Sequence, residues 1–174
     1  MSQPFILHPG RLSLSDLRAL WQQPMPLELT PTARGAIAAA AASIDAIVLK
    51  GDAAYGINTG FGKLAGTRIP NAQLEQLQRN LILSHAVGTG EPMGEALVRL
   101  VLAMKAASLA RGHSGVRPVV IDTLLAVVNA GITPLIPAKG SVGASGDLAP
   151  LAHMTLALIG EGDVLVAGQR VTAA

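Results

Sequence analysis

The sequence has no cysteine, few charged residues and no basic cluster. None of its 174 residues is Cys, which excludes disulfides and thiolate metal sites and fits a cytoplasmic protein. Charged residues make up only 14% of the chain and the formal net charge is +2, with the cationic residues scattered. We therefore expect no nucleic-acid partner. Four dispersed histidines also give no ligand spacing for a metal, so we expect none.

Long hydrophobic runs are absent as well. Arg99, Lys105, Asp122 and Pro134 interrupt the longest apolar stretches. The first eleven residues lack the charged start and apolar centre of a signal peptide. We therefore expect no membrane association and no secretory leader.

Aromatic residues are only 2% of the chain, although half of it is hydrophobic. The apolar content is therefore mostly Ala, Leu, Val and Ile, whose small side chains suit closely packed helices. With a mean hydropathy of +0.46, one isolated domain should not cover all of its apolar surface. We expect further chain or partner subunits to cover the rest.

Periodicity and capping residues predict a mainly α domain with one small β-hairpin. Ser13 or Ser15 should cap the first helix and Thr30 the second. A glycine-rich connection over residues 50–70 is long for a compact domain and indicates function. The predicted helices span residues 13–21, 30–49, 71–87, 95–111, 118–130 and 147–159, and the hairpin spans 164–171.

The run from Gly140 to Pro150, Gly-Ser-Val-Gly-Ala-Ser-Gly-Asp-Leu-Ala-Pro, can do chemistry on its own backbone. In a tight bend, the Gly146 amide nitrogen can reach the Ala144 carbonyl carbon and close a five-membered ring. Ring closure expels the Ala144 carbonyl oxygen as water, and loss of the Ser145 hydroxyl as a second water leaves an exocyclic methylene, which is an electrophile. Gly146 permits this approach because it has no Cβ. Asp147 suits the first turn of the next helix, and the alternative is a flexible glycine turn before that helix.

The loop Tyr55-Gly-Ile-Asn-Thr-Gly-Phe-Gly62 contains the only tyrosine of the chain. A phenol on glycine-flanked backbone can serve as a proton acceptor. Its ordinary pKa is about 10, so forming phenolate at pH 7 costs about 4 kcal/mol unless positive neighbours lower that pKa. The alternative is that Tyr55 hydrogen-bonds the loop together. The loop is no P-loop, because Leu64 stands where Ser or Thr is needed.

His85 lies on the predicted 71–87 helix, on the same stripe as Leu74, Leu77 and Leu81. A histidine on an apolar stripe is commonly a satisfied core residue. The residues alone leave open whether His85 packs in the core or binds a ligand.

Residues 55–62, Ser84-His85-Ala86 and residues 140–153 together resemble the aromatic amino acid ammonia-lyases, and among them the histidine ammonia-lyase group. The resemblance implies the mainly α N-terminal domain of the ammonia-lyase (fumarase/aspartase-like) superfamily. It implies that Ala144, Ser145 and Gly146, next to Asp147, form a 4-methylideneimidazole-5-one (MIO) group. No metal and no pyridoxal phosphate are then expected.

The same resemblance implies non-oxidative deamination of L-histidine to trans-urocanate and ammonia. Tyr55 would be the base for the β-proton, and Asn58 and Gly62 of the same loop would bind substrate. The Ser84-His85 pair stands where the family separates its substrates, since phenylalanine- and tyrosine-type members commonly carry Phe-Leu or His-Leu there. His85 would contact the imidazole of the substrate.

Family chains are far longer and form homotetramers through a central helical bundle. Residues 1–174 are therefore expected to be the truncated N-terminal MIO-bearing domain, without that bundle. Two alternatives stay open: a phenylalanine or tyrosine ammonia-lyase or aminomutase of the same superfamily, and a non-catalytic fragment that acts only as an assembly module.

Overall fold

The computed structural model describes residues 3–60, 62–143 and 146–174 and has the mainly helical fold that the sequence predicts. None of the helices in these three ranges is long and apolar enough to cross a membrane. The α-helices are α1 Leu14–Gln22, α2 Ala33–Lys50, α3 Leu74–His85, α4 Glu95–Leu109, α5 Pro118–Asn129 and α6 Leu148–Leu158. The strands are β1 Phe5–Leu7, β2 Leu27–Leu29, β3 Thr89–Pro92, β4 Ile132–Pro134, β5 Pro137–Lys139, β6 Asp163–Val166 and β7 Gln169–Thr172.

Ser13 is the N-cap of α1, which decides between the two predicted serines. Its hydroxyl accepts a hydrogen bond from the Asp16 amide at 3.2 Å, and its own amide donates to the Asp16 carboxylate at 2.8 Å. The two bonds satisfy backbone groups that the first turn leaves without helical partners. Hydrogen bonds from the Ser13 backbone and side chain lower the pKa of Asp16.

The predicted cap at Thr30 is wrong, because α2 begins three residues later. The Ala33 amide donates to the Thr30 carbonyl at 3.1 Å, so a single turn precedes the helix. Thr32 takes the capping position in a helical conformation and its side chain caps nothing. The Thr30 hydroxyl is instead hydrogen-bonded to the Thr32 hydroxyl at 3.3 Å.

Helix α4 lies at the centre of the core, where it packs against α1 and α5. Its buried residues include the larger Val98 and Leu102 and the small alanines 103, 106 and 107. The alanines let neighbouring helices approach closely, as the composition predicts. The largest fully buried aliphatic side chains are Leu7, Leu20, Leu27, Ile37, Val98, Leu102, Ile121, Leu124 and Ile136.

Two polar side chains connect elements of the core by hydrogen bonds to backbone groups. The Arg99 guanidinium of α4 donates to the carbonyls of Leu20 and Trp21, at 2.9 and 2.6 Å, at the end of α1. The Asn129 amide at the end of α5 accepts from the Leu27 amide at 2.7 Å and donates to the Leu27 carbonyl at 3.0 Å. These bonds satisfy backbone groups that short elements leave without partners.

The predicted hairpin is present as β6 and β7, with Ala167 and Gly168 at the turn in left-handed conformations. Positive φ at both central residues is what a type I′ hairpin turn requires. Strand β4 adds to β6 as a third strand. The parallel pair β1–β2 and the antiparallel pair β3–β5 were not predicted, because three or four residues are too few for a strand pattern.

The loop after α4 crosses α2 at two glycines. A Cβ added to Gly112 would lie 2.7 Å from the Ala36 carbonyl oxygen, and one added to Gly115 would lie 2.2 Å from Ile44 Cγ1. Both glycines have positive φ. The loop and α2 can lie this close only because these positions have no side chain.

The Gly115→Ala variant is expected to lower the free energy of unfolding by about 1–3 kcal/mol, because the added methyl group overpacks the contact with Ile44. Gly35→Ala is the matched control, since an added Cβ there meets nothing within 4 Å. Because Gly35 lies in α2, this control should gain about 0.5–1 kcal/mol. Urea denaturation followed by circular dichroism measures both, and equal stability of the two variants would contradict the packing.

Candidate active site

The described residues on either side of Ala144 and Ser145 approach each other just before α6. Ala144 and Ser145 lie outside the described residues, so their place in a ring stays a prediction. On either side of them, Gly143, Gly146 and Asp147 have φ values of +68°, +77° and +58°. The Gly146 amide donates to the Gly143 carbonyl at 3.4 Å. The residues on both sides of Ala144 and Ser145 therefore have a left-handed backbone, which glycine adopts most readily.

Asp147 occupies the N-cap position of α6, but its side chain does not cap the helix. Its carboxylate instead accepts a hydrogen bond from the Ser141 hydroxyl. A positive φ is unusual for a residue other than glycine and is tolerated best by Asp and Asn. The Ser141–Asp147 bond thus joins the segments before and after the tripeptide, and Ser141 is a site residue that the sequence did not indicate.

The start of the run is held against the segment that follows α3. A Cβ added to Gly140 would lie 3.1 Å from Gly88 Cα and 3.3 Å from Ala149 Cβ. The Gly88 amide donates to Nε2 of His153 in α6 at 3.0 Å. Strands β3 and β5, which flank these glycines, pair with each other. The end of α3 and the run therefore lie side by side.

His85 lies half-buried at the end of α3 and faces a cavity of about 290 Å³. Leu148, the residue after Asp147, lines the same cavity, and so does Lys105 of α4. His85 Nδ1 lies 2.7 Å from the Leu81 carbonyl oxygen. Since a carbonyl only accepts, Nδ1 carries the hydrogen in the neutral ring and Nε2 is an acceptor. The structure therefore brings His85 and the end of the run to one cavity.

Tyr55 lies in a turn of the glycine-rich loop, and its side chain is 64% exposed. The loop is organised around Asn58, which is fully buried. The Asn58 side chain accepts from the Ala54 amide at 2.8 Å and donates to the Asp52 carbonyl at 2.9 Å. Its backbone carbonyl accepts from the Ile69 amide at 2.8 Å. Asn58 therefore links the segment before Tyr55 to the end of the loop at Ile69.

The other predicted site residues occupy less constrained positions. Gly62 begins a short 3-10 turn, Gly62–Leu64, with φ +58° and open space where a side chain would be. The exposed Ser84 hydroxyl donates to the Leu81 carbonyl at 3.1 Å. Substrate contacts of Asn58, Gly62 and Ser84 stay predictions. Within the described ranges, no group of three or more His, Asp and Glu residues could hold a metal ion.

Tyr55 is not among the residues that line the cavity at His85. Lys105 and the Gly88–His153 bond were missed by the sequence analysis. Neither has a local signal, because each depends on elements distant in sequence.

The chain matches the family described as aromatic amino acid lyase over residues 12–174. It is 58% identical over 167 residues to a histidine ammonia-lyase of Paracidovorax citrulli (strain AAC00-1), covering 96% of this chain and 33% of that protein. The crystal structure of a histidine ammonia-lyase from Trypanosoma cruzi is similar with a TM-score of 0.88 and 39% identity, over 98% of this chain and 33% of that one.

The crystal structure of a tyrosine aminomutase from Streptomyces globisporus is also similar, with a TM-score of 0.91 and 32% identity, over 98% of this chain and 32% of that one. The chain thus spans about one third of the length of the relatives it matches.

The Asn58→Ala variant should loosen the loop around Tyr55, because it leaves the Ala54 amide and the Asp52 carbonyl without their partner. We expect a loss of about 1–3 kcal/mol of stability. Amide hydrogen exchange should become faster over residues 52–60 while α4 stays protected. Asn71→Ala is the control, because that exposed amide makes one bond at 3.3 Å, to Val48. Unchanged exchange in the loop of Asn58→Ala would contradict the assignment.

Burial lowers the pKa of His153, so the folded chain favours the neutral ring that accepts from Gly88. The unfolded chain, with an ordinary histidine pKa of about 6.5, binds more protons. Stability should therefore fall as the pH is lowered from about 7 through the lowered folded-state pKa.

Urea denaturation of His153→Gln, which keeps an acceptor for Gly88, should show a flatter dependence on pH across this interval. The unaltered chain, measured alongside, gives the reference slope. If the stability of His153→Gln depends on pH with the same slope as that of the unaltered chain, the assignment to His153 is contradicted.

Proposed function

Since this chain belongs to the aromatic amino acid lyase family, we propose that it is the MIO-bearing part of a histidine ammonia-lyase. The proposed reaction is the non-oxidative removal of ammonia from L-histidine to give trans-urocanate. The observation that supports it most is the left-handed backbone of Gly143, Gly146 and Asp147, which lies beside the end of α3 that carries His85. The 58% identity to a histidine ammonia-lyase supports histidine as the substrate.

The described residues fit a group closed from Ala144, Ser145 and Gly146. Gly143 and Gly146 have the left-handed backbone that a tight bend needs, and the Ser141–Asp147 hydrogen bond joins the segments before and after the tripeptide. When formed, MIO supplies an electrophile for the amino group of the substrate, in place of pyridoxal phosphate or a metal.

The proposed role of Tyr55 is to take the β-proton of the substrate. Its exposed position allows the phenol to reach a substrate bound outside the loop. The Asn58 side chain fixes the backbone at Asp52 and Ala54, just before Tyr55, so the phenol is presented from a defined place. Asn58 and Gly62 are also proposed to bind substrate through this loop.

The proposed role of His85 is to contact the imidazole of the substrate, with Ser84 beside it. With Nδ1 bonded to the Leu81 carbonyl, Nε2 of the neutral ring can accept a hydrogen bond from an imidazole N–H. A phenyl ring has no such donor. This difference supports histidine over phenylalanine.

The proposal includes the assembly and the location of the whole protein. Residues 1–174 would be the N-terminal MIO-bearing domain, and the complete protein a homotetramer with further active-site groups from its other two thirds. A cytoplasmic location is part of the same proposal.

A chimera tests this function directly. The matching third of the Paracidovorax citrulli enzyme is replaced by this chain, and urocanate formation from L-histidine is followed by absorbance. Turnover of L-histidine, with little or none of L-tyrosine or L-phenylalanine, is the expected result. Turnover of tyrosine or phenylalanine but not histidine would contradict the substrate, and no turnover by a folded chimera would contradict the enzymatic role.

Tyr55→Phe in the same chimera should lower the turnover by at least about a hundredfold, as expected for loss of a general base. The substitution removes one oxygen atom, so the intact mass should fall by that atom alone. The circular dichroism spectrum should not change. Phe5→Tyr, far from the loop in sequence, controls for changes in phenol content. Near-normal turnover in Tyr55→Phe would remove Tyr55 as the base.

A further inference from the structure

A second cavity, of about 440 Å³, lies between the segment before α1, the start of α2 and the loop after α4. We call it the basic cavity. Within the described part of the chain, no Asp or Glu is among the residues that line it. Its polar lining consists of His8, Arg11, Thr30, Thr32, Arg111 and His113.

Two backbone features bring the arginines to this cavity. His8 to Arg11 form a turn in which the Arg11 amide donates to the His8 carbonyl at 3.0 Å. Pro9 and Gly10 occupy its centre, and Gly10 has φ +74°, the combination typical of a type II turn. A Cβ added to Gly10 would lie 3.5 Å from Arg111 Nε. The Arg111 side chain therefore lies against the turn that carries Arg11.

The third side of the cavity is formed where Gly112 packs against α2. Because Gly112 has no side chain, the segment from Arg111 to His113 can lie close to the Ala36 carbonyl at the start of α2. The hydroxyls of Thr30 and Thr32, which precede α2, line the same space. Donors from three separate segments thus surround one volume.

The two guanidinium groups have no carboxylate partner within the described residues. The ion pairs there involve Arg34, Lys50, Arg79 and Arg170. Asp16 is the acidic residue close enough to be influenced by His8, but its carboxylate is bonded to Ser13. Neighbouring like charges repel, and an anion between them would remove that repulsion.

We propose that the basic cavity binds the phosphate group of a small organic phosphate. Guanidinium forks match phosphate oxygens two at a time, and hydroxyl and imidazole groups can donate to the remaining oxygens. The volume falls in the range of small-ligand pockets, about 300–1,000 Å³, and is more than inorganic phosphate fills. The cavity is separate from the one at His85 and shares no residue with it. The inference is therefore independent of the proposed function.

Titration of the 174-residue chain, followed by amide NMR at constant ionic strength, tests this binding. The ligands are inorganic phosphate, phenyl phosphate and benzoate, which pairs the same ring with a carboxylate. We expect saturable shifts with phenyl phosphate, confined to residues 8–11, 30–36 and 110–113. Phosphate should bind more weakly at the same residues, and benzoate more weakly than phenyl phosphate. Benzoate binding as tightly as phenyl phosphate, or shifts centred elsewhere, would overturn the proposal.

Arg11→Ala and Arg111→Ala should each weaken phenyl phosphate binding about tenfold or more, because each removes a charged donor. Arg11→Lys keeps the charge but loses the fork, so its affinity should lie between those of the unaltered chain and Arg11→Ala. Arg18→Ala is the matched control, since Arg18 is exposed on α1 and does not line the cavity. Circular dichroism checks that each variant is folded. An equal loss of affinity in Arg18→Ala would indicate general charge attraction and overturn the proposal.

Discussion

The close approach of two backbones at Gly88 and Gly140 is the constraint on which the candidate active site depends. Neither position leaves room for a side chain, since a Cβ on Gly140 would touch Gly88 Cα at 3.1 Å and one on Gly88 would touch His153 at 3.2 Å. The Gly88–His153 hydrogen bond then ties the same point to α6. His85, three residues before Gly88, is thereby held beside the run that leads into α6. A side chain at either glycine would crowd this contact, and the neighbouring atoms would have to shift by a few tenths of an ångström.

Much of the fold could be predicted from local signals. The Pro118 and Gly131 boundaries of α5 and the Ala167-Gly168 turn of the hairpin are confirmed, because proline at a first turn and residues at positive φ act locally. The pairing of β3 with β5 was not predictable, since it joins residues 89–92 to residues 137–139. The Thr30 cap failed for a local reason, because a separate turn competes with the helix for the same backbone groups.

The candidate site likewise contains residues that could be predicted from the sequence and residues that could not. His85, Tyr55 and the tripeptide at 144–146 were indicated by the family resemblance of three short motifs, because the residues alone left a structural role open for each. The structural role of Asn58 could not be predicted, because its burial and its two bonds to the loop depend on the folded path of residues 52–69. The positions of Ser141 and Lys105 at the site likewise depend on the neighbours that the fold gives them.

Several apolar side chains remain exposed, among them Leu14 at 84%, Leu49 at 88% and Val142 at 73%. Their exposure agrees with the expectation from hydropathy that one domain does not cover its own apolar surface. Val142 lies in the run and Tyr55 in the loop, so both parts of the site are open. In the proposed enzyme, the other two thirds of the protein would close them.

The central claim is that Ala144, Ser145 and Gly146 condense with one another. Intact-protein mass spectrometry of the chimera with the Paracidovorax citrulli enzyme tests it most directly. The account predicts a chain lighter than its sequence by two water molecules, and the full sequence mass in the Ser145→Ala variant. A chimera that turns over L-histidine while keeping its full sequence mass would contradict the account.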